Sequence, residues 1–543
     1  MKLSTLLENL SVQLAGNTET HTEILALTED SRLVRPGWAF VARPGLHTDG
    51  TRFIAQAIEA GAAAIITRAE SAHETNPTSS ARPEPPAIVR TDEPARIGAI
   101  LAERLAGEPS QTLKLIGITG TNGKTTIAHL FQQCCTQMDQ RCGLVGTVTI
   151  DDGAGSTAAS MTTPNAEKIS PLLASMVSNG CGFCAMEVSS HALDQHRVSG
   201  LHFAAAVFTN LTGDHLDYHH DMATYARAKA SLFASLAPDA IAIVNADDRS
   251  CEMMLENCAA RIIRCRFVRQ PASLPDTVSD NQKEDQAWVC VHSTDARGMA
   301  LCLGGPWGRF STRTRLIGAH NAMNILQALV AWYACLSPTL VPDTSALEAI
   351  VPTLSAPTGR LESVNSAQDD ITVLIDFAHT DDALANALRA ARSITPKGAK
   401  LWALFGCGGD KDRSKRPRMG AIAENLADVV VLTSDNPRTE PPEAIIDEII
   451  AGMSDTVRMA VHRDADRCRA INYAITCANP CDVLVLAGKG HEREQEIAQP
   501  DPDAHTPSKT MRILLSDHGE AIKALAQRQK TTRGSTESKV AAP

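Results

Sequence analysis

"GITGTNGKTTIAHL", residues 117–130, joins an apolar run to a helical pattern through a glycine-rich turn. It contains the Gly-Lys-Thr of a phosphate-binding loop. The usual G-x-x-x-x-G-K-[ST] spacing, however, would need glycine at 118, where this chain has Ile118. The flanks argue for a nucleotide site. Before it, "LKLIGIT" is a short apolar run rich in β-branched residues and predicts a buried strand. After it, "TTIAHLFQQCC" sets Ile127, Leu130 and Phe131 at helical spacing. A strand, a glycine turn and a helix start gather backbone N–H groups and the positive helix end around one anion. Gly117, Gly120 and Gly123 let backbone approach phosphate, Lys124 can reach the β and γ oxygens, and Thr125 suits Mg²⁺. The reading is a nucleoside triphosphate site.

Strand–helix alternation continues on both sides of this loop. Residues 1–107 hold "GWAFVA", "AAAIITR" and "PAIVR", separated by the helical "FIAQAIEAGA". Residues 108–354 add "FCAMEV", "AAVFTNL" and "AIAIVNAD", the signature of a mostly parallel α/β sheet with function at the strands' carboxyl ends. Residues 355–516 resume with "ITVLIDFAH", "KLWALFGCGG", "DVVVLTSDNP" and "DVLVLAGKGHE", each strand running into charged residues or glycine. Two polar stretches, 70–86 and 268–287, read as surface excursions. Residues 517–543 end in "QRQKTTRGSTESKVAAP" and are expected to be disordered.

Composition narrows the function classes. The 543 residues suit about three or four domains at ~150 residues each. A net charge of −11, with no Lys/Arg block, argues against a nucleic-acid footprint. No apolar run approaches the ~18 residues of a membrane span. "MKLSTLLENLSVQL" lacks the apolar core and cleavage site of a signal peptide. A cytoplasmic monomer is expected. Fifteen cysteines are scattered, many in apolar runs (Cys134, Cys135, Cys290, Cys302), which suits reduced core thiols. "CGFC" (Cys181 to Cys184) has redox spacing but runs into the apolar "AMEV", so structural thiols are favoured there too.

Polar clusters follow the predicted strands. They are Glu187, Ser189, His191, Gln195 and Arg197; Asp214, His215, Asp217 and Lys229; and Asn245, Asp247 and Asp248. Acidic and imidazole groups at strand ends facing a triphosphate suit Mg²⁺ coordination. In order along the chain, "GTNGKTT", "EVSSHAL..HR", "TNL..DHLDYH", "Y..AK..LF", "G.HN..N", "GR.E", "DFAHT.DAL", "FGCGGD.D..KRP" and "GKGHE" resemble the Mur ligases, over roughly residues 25 to 500. The match is strongest to the members that add meso-2,6-diaminopimelate.

The resemblance implies three domains: an N-terminal α/β domain for a UDP-sugar, a central P-loop ATPase and a C-terminal Rossmann-like lid. It implies ATP held by Gly120, Thr121, Asn122, Gly123, Lys124, Thr125 and Thr126, with Asn324 near adenine, Arg360 near the γ-phosphate and Asp376 near the ribose. Thr125 and Glu187 would ligate one Mg²⁺, and His215 with a carbamylated Lys229 a second. An ammonium repels Mg²⁺, whereas its CO₂ adduct is an anionic oxygen ligand. Lys124, Lys229, His215, Glu187 and Arg360 would carry catalysis. Ser31, Leu46, His47, Thr48, Thr162, Thr163, Ser189, Gln195 and Arg197 would hold UDP-N-acetylmuramoyl-L-alanyl-D-glutamate. Asp435, Asn436, Pro437, Arg438, Gly488 and Glu492 would hold diaminopimelate, with Lys411 standing where the family has an arginine. The implied reaction passes through an acyl phosphate.

The chain also departs from the family pattern at Thr358 and Asp381, where proline is usual, and at Glu29, where an apolar residue near uracil is common. Two rival readings stay open. One is a sibling ligase adding lysine, a D-Ala-D-Ala dipeptide or glutamate, the last as in folylpolyglutamate synthesis. The other is a nucleotide-dependent switch without ligase turnover, which needs no second metal ligand set and is disfavoured by the joint presence of Glu187, His215 and Lys229.

Overall fold

The strand before the glycine turn, Lys114–Thr119, lies near the middle of an eleven-stranded sheet in a computed structural model of the chain. The structure describes residues 1–15, 22–45, 48–68, 85–269, 286–295, 297–499 and 509–540, with side chains to 530. Leu46, His47, most of the 70–86 stretch and most of 268–287 lie outside the described residues.

The N-terminal sheet comprises β1 (Gln13–Ala15), β2 (Ala26–Thr28), β3 (Trp38–Val41), β4 (Ala64–Thr67) and β5 (Ala87–Arg90). Its order is β1-β5-β4-β3-β2, parallel except for β1. The central sheet begins with β6 (Lys114–Thr119), β7 (Cys142–Val145), β8 (Thr149–Asp151), β9 (Ser156–Ala158), β10 (Phe183–Glu187) and β11 (Ala205–Phe208). It continues with β12 (Ile241–Asn245), β13 (Arg261–Phe267), β14 (Gln286–Asp295), β15 (Gly298–Gly305) and β16 (Gly308–Thr314). Its order is β16-β15-β14-β13-β12-β11-β6-β10-β7-β8-β9. From β14 to β7 it is parallel, and an antiparallel hairpin extends each end. The sequence reading had no signal for these hairpins.

The parallel strands are apolar throughout because helices cover both faces. Phe131 on the helix Lys124–Gln137 and Trp332 on the helix Ala319–Cys335 are fully buried in the layer over β6 and β11. Strand order turns at β6, whose neighbours β10 and β11 come later in the chain. Such a switch point opens a crevice at the carboxyl ends.

The C-terminal sheet, β17 (Arg360–Ser363), β18 (Thr372–Asp376), β19 (Leu401–Phe405), β20 (Val429–Thr433), β21 (His462–Asp464) and β22 (Val483–Ala487), has order β17-β18-β22-β19-β20-β21. Only β17 is antiparallel. A separate antiparallel ribbon, β23 (Glu494–Ala498) with β24 (Thr510–Leu514), follows. Among the described residues no helix is long and apolar enough to cross a membrane.

The expected disorder from 517 is corrected: Asp517–Val540 is a helix. Ala521, Ala524 and Leu525 form a narrow apolar stripe at helical spacing, buried against the sheet and the helix Arg467–Cys477. The stripe was hidden in polar sequence. Asp517 and Arg467 are both fully buried and paired twice, Nε to Oδ1 at 2.7 Å and Nη2 to Oδ2 at 2.6 Å. Asp517→Ala would strand a buried guanidinium, a change worth about 3–5 kcal/mol. A clearly lowered first transition in a thermal melt is expected, and an unchanged melt would refute the role of the pair.

Candidate active site

The glycines of the loop are dictated by crowding. At Gly120 (φ +142°) a Cβ would stand 1.9 Å from Thr209 Oγ1, and at Gly123 (φ +89°) 2.7 Å from Asn324 Oδ1. Lys124 starts the helix and its Nζ donates to Gly120 O and Thr121 O, both at 2.9 Å. From the end of β10, Glu187 is fully buried, accepting from Thr125 Oγ1 (3.0 Å), Thr147 N (2.8 Å) and Thr147 Oγ1 (3.0 Å). Among the described residues no lysine or arginine forms an ion pair with it. Thr162 Oγ1 stands 3.0 Å from Thr147 Oγ1, and Thr163 Oγ1 donates to Glu187 O at 2.8 Å. Thr147 was missed by sequence reasoning; the Gly-Thr after the strand β7 was the available signal.

Lys229, from the helix Met222–Ala234, is 1% exposed. Its Nζ donates to the same Gly120 O at 2.9 Å and lies 4.4 Å from the Tyr225 ring centroid. Burial first, then the charge of Lys124, push its pKa well below that of an ordinary lysine. His215 has a left-handed backbone (φ +54°) and its ring lies 4.8 Å from that of His191. Burial lowers its pKa to about 4, so the imidazole is neutral at neutral pH, as a metal ligand must be.

These donors suit Mg²⁺. Glu187 with Thr125 offers hard oxygens, and Lys229 is near enough to His215 for its charge to act on the imidazole. Among the described residues no three His, Cys, Asp or Glu side chains form a ready cage. Mg²⁺ does not need one, because it takes one or two carboxylates plus waters and substrate phosphates.

One cavity joins the loop to the C-terminal domain. Asn122, Gly123, Thr126, Asn324, Arg360 and Asp376 all line it. Arg360 Nη2 donates to Thr125 Oγ1 at 3.2 Å, and its guanidinium sits 4.8 Å over the Phe377 ring. Burial raises the Asp376 pKa to about 6, and its carboxylate accepts from Leu361 N and Ala378 N at 2.8 Å each. His320 and Phe377 also line this cavity and had been assigned no role.

A second cavity lies beside it. Its walls combine Asp214, His215 and Asp217 of the central domain with Lys411, Asp435, Asn436, Arg438, Gly488 and Glu492 of the C-terminal domain. Asn436 Nδ2 donates to Glu492 Oε2 at 2.8 Å. Lys489, wholly buried, donates from Nζ to Asn436 Oδ1 and Glu492 Oε2, each at 3.0 Å. Sequence reasoning missed Lys489, and also Lys415 and Arg418, which add positive charge to the same walls. Arg418 pairs with Asp381 at 2.7 Å.

In the N-terminal domain Ser31 and Thr48 line a cleft with Glu29 and Arg43. Glu29 is held by Arg43 (Nε to Oε2, 2.8 Å), so the departure there adds no free charge. Arg43 also lines the adjoining cleft with Gln195. Arg197 donates to Thr163 O at 2.7 Å and to Gln195 Oε1 at 2.8 Å, and Ser189 N donates to Thr163 Oγ1 at 3.0 Å. Asn245, Asp247 and Asp248 stay out of the site. They hold turns, bonding to Thr209 O, Phe267 N and Leu211 N. All fifteen cysteines are free; Cys181 and Cys184 are buried, with thiols that burial pushes upward.

Known proteins match this arrangement along nearly the whole chain. The family models described as Mur ligase family, catalytic domain; Mur ligase middle domain; and Mur ligase, glutamate ligase domain match residues 23–103, 118–332 and 359–490. The UDP-N-acetylmuramoyl-L-alanyl-D-glutamate–2,6-diaminopimelate ligase of Synechococcus elongatus is 40% identical over 506 residues, 93% of this chain and 95% of that protein. The protein of the same name from Chromobacterium violaceum is 40% identical over 86% of this chain and 90% of its own length. A solved structure of a ligase with that name superposes with a TM-score of 0.60 at 30% identity, covering 93% of this chain and 95% of the other. A MurF ligase from Thermotoga maritima, solved in complex with ADP, shares the fold at 15% identity, with a TM-score of 0.57 over 94% of this chain and 99% of its own. The chain belongs to the Mur ligase family.

Proposed function

We propose that this chain is an ATP-dependent ligase that joins meso-2,6-diaminopimelate to the D-glutamyl carboxylate of UDP-N-acetylmuramoyl-L-alanyl-D-glutamate, a cytoplasmic step in peptidoglycan precursor synthesis. The observation that carries this reading is the shared cavity. Arg438, Asn436 and Glu492, suited to a zwitterionic amino acid, face Asp214 and His215 beside the phosphate-binding loop. The full-length relatives named for this activity support it.

The substrate carboxylate attacks the γ-phosphorus of ATP, forming an acyl phosphate as ADP leaves. The amine of diaminopimelate then attacks the acyl carbon. Phosphate departs with the C–O bond electrons, the amine loses a proton and an amide remains. Lys124 and Arg360 neutralise charge on the transferring phosphoryl group, so positioning and electrostatics carry most of the catalysis. Glu187, Thr125, His215 and a carbamylated Lys229 would hold Mg²⁺, which when bound would polarise phosphoryl oxygens. Asn324 and Asp376 hold the nucleoside. Ser31, Thr48, Gln195 and Arg197 hold the UDP-sugar end. Arg360 and Asp382 reach from the C-terminal domain to Thr125 and Asn122 and keep water from the acyl phosphate.

The test is phosphate release from ATP and Mg²⁺ with the UDP-muramoyl dipeptide, with and without diaminopimelate. Release that requires both substrates is expected. Release with L-lysine alone would point to the sibling ligase, and none under any condition to a switch.

A further inference from the structure

The two-stranded ribbon β23–β24 meets the loop that lines the amino-acid cavity through Gln495, which donates to Ser434 Oγ and Asp435 O, and through Glu496. Glu496 meets the Asp435-Asn436-Pro437-Arg438 loop three times. Its Oε2 accepts from Arg438 Nε at 3.0 Å, its carbonyl from Arg438 N at 3.0 Å, and its N–H donates to Asn436 Oδ1 at 3.0 Å. Its other oxygen, Oε1, accepts from Thr510 Oγ1 on β24 at 2.8 Å, which fixes the carboxylate. Arg438 sits in the left-handed region (φ +52°), a conformation that a non-glycine residue keeps only when its surroundings enforce it.

The rest of the guanidinium is divided with equal economy. Nη1 donates to Gly409 O at 2.7 Å, while Nη2 has no protein partner among the described residues. A guanidinium held at Nε and Nη1 keeps one orientation and leaves Nη2 for a ligand oxygen. Freed from Glu496, the side chain regains rotamers that it must give up to bind.

We propose that Glu496 is a positioning and specificity-determining residue: it aims Arg438 at the distal carboxylate of the incoming amino acid. The proposal rests on the diaminopimelate reading above. It concerns an amino acid with a second carboxylate, so L-lysine, which lacks one, should be indifferent to Glu496.

The test uses full-length Glu496→Ala and Glu496→Gln in the complete ligase assay. For Glu496→Ala, KM for diaminopimelate should rise about tenfold, the scale for one lost hydrogen bond to a charged group. The kcat, and KM for ATP and for the UDP-dipeptide, should move less than about twofold, since uniform binding alone is affected. Preference for diaminopimelate over lysine should fall by the same factor of about ten. Glu496→Gln keeps an acceptor for Nε and should return KM to within about threefold of the parent.

An unchanged or lower KM in Glu496→Ala overturns the proposal; a lower value would mean that Glu496 competes with the substrate carboxylate. Glu496→Gln as poor as Glu496→Ala also overturns it, because charge and not aim would then matter. A lower melting temperature with parental kinetics reduces Glu496 to a structural residue. If the parent enzyme fails to use diaminopimelate, the functional reading falls and this proposal with it. If the parent uses it and Glu496→Ala is normal, this proposal falls alone.

Discussion

Lys229→Ala is expected to lose about 100- to 1,000-fold in kcat, the scale for removing one preorganised stabiliser of developing charge. The argument starts from burial. Lys229 is 1% exposed, and its Nζ shares the carbonyl of Gly120 with Nζ of Lys124, both at 2.9 Å. Two ammonium groups on one acceptor in a dry site are unfavourable, and burial with the Lys124 charge pushes Lys229 toward the neutral amine. A neutral amine can attack CO₂: the N–C bond forms, a C=O π pair moves to oxygen and nitrogen loses a proton. The product would carry an anionic carboxylate in place of the neutral amine, near His215.

Short carboxylates added to Lys229→Ala should recover part of the activity by supplying the missing oxygens. Lys229→Arg should gain nothing, because guanidinium stays cationic and binds no metal. Carbon-13 NMR after incubation with labelled bicarbonate should show a carbamate in the parent protein and none in Lys229→Ala. Near-normal turnover of Lys229→Ala without supplements would sink the idea.

Much of the site was legible because its residues follow strands. Gly120, Glu187, Asp376, Asp435 and Gly488 all come at or just after an apolar run, and the sheets bring those ends together. Helical and strand periods report burial directly. What the period does not report is what lies across a space. The hairpins β14–β16 and β8–β9 have no partner signal in the sequence. Thr147 matters only because β7 ends beside Glu187. Lys489 sits inside a recognised motif, yet its role comes from reaching Asn436 and Glu492 at once. The helix Asp517–Val540 is hard to read from sequence for a related reason. Its polar composition outweighed three small apolar positions, and the buried Asp517 is explained only by Arg467, fifty residues earlier.

Arg438→Ala should lose at least about 30-fold in kcat/KM for diaminopimelate, the low end of the roughly 2–5 kcal/mol for truncating one partner of a desolvated charge pair. Diaminopimelate differs from lysine by a second amino-carboxylate end, so a selective pocket must meet an extra carboxylate and an extra ammonium. Arg438 and Glu492 both line the cavity; Nη2 of Arg438 has no protein partner among the described residues, and Glu492 is bonded to Asn436 and Lys489. KM for ATP and for the UDP-dipeptide should change little, because Arg438 lines neither the nucleotide cavity nor the N-terminal cleft. Lys411, on the same wall, offers a point charge in place of a planar fork and holds its carboxylate less tightly. Lys411→Arg should therefore lower KM for diaminopimelate. The deciding measurement is direct competition between meso-diaminopimelate and L-lysine on the intact enzyme and on Arg438→Ala. The parent should choose diaminopimelate and the variant should lose most of that preference. Equal use of lysine by the parent would overturn the substrate assignment and leave only a Mur ligase of other specificity.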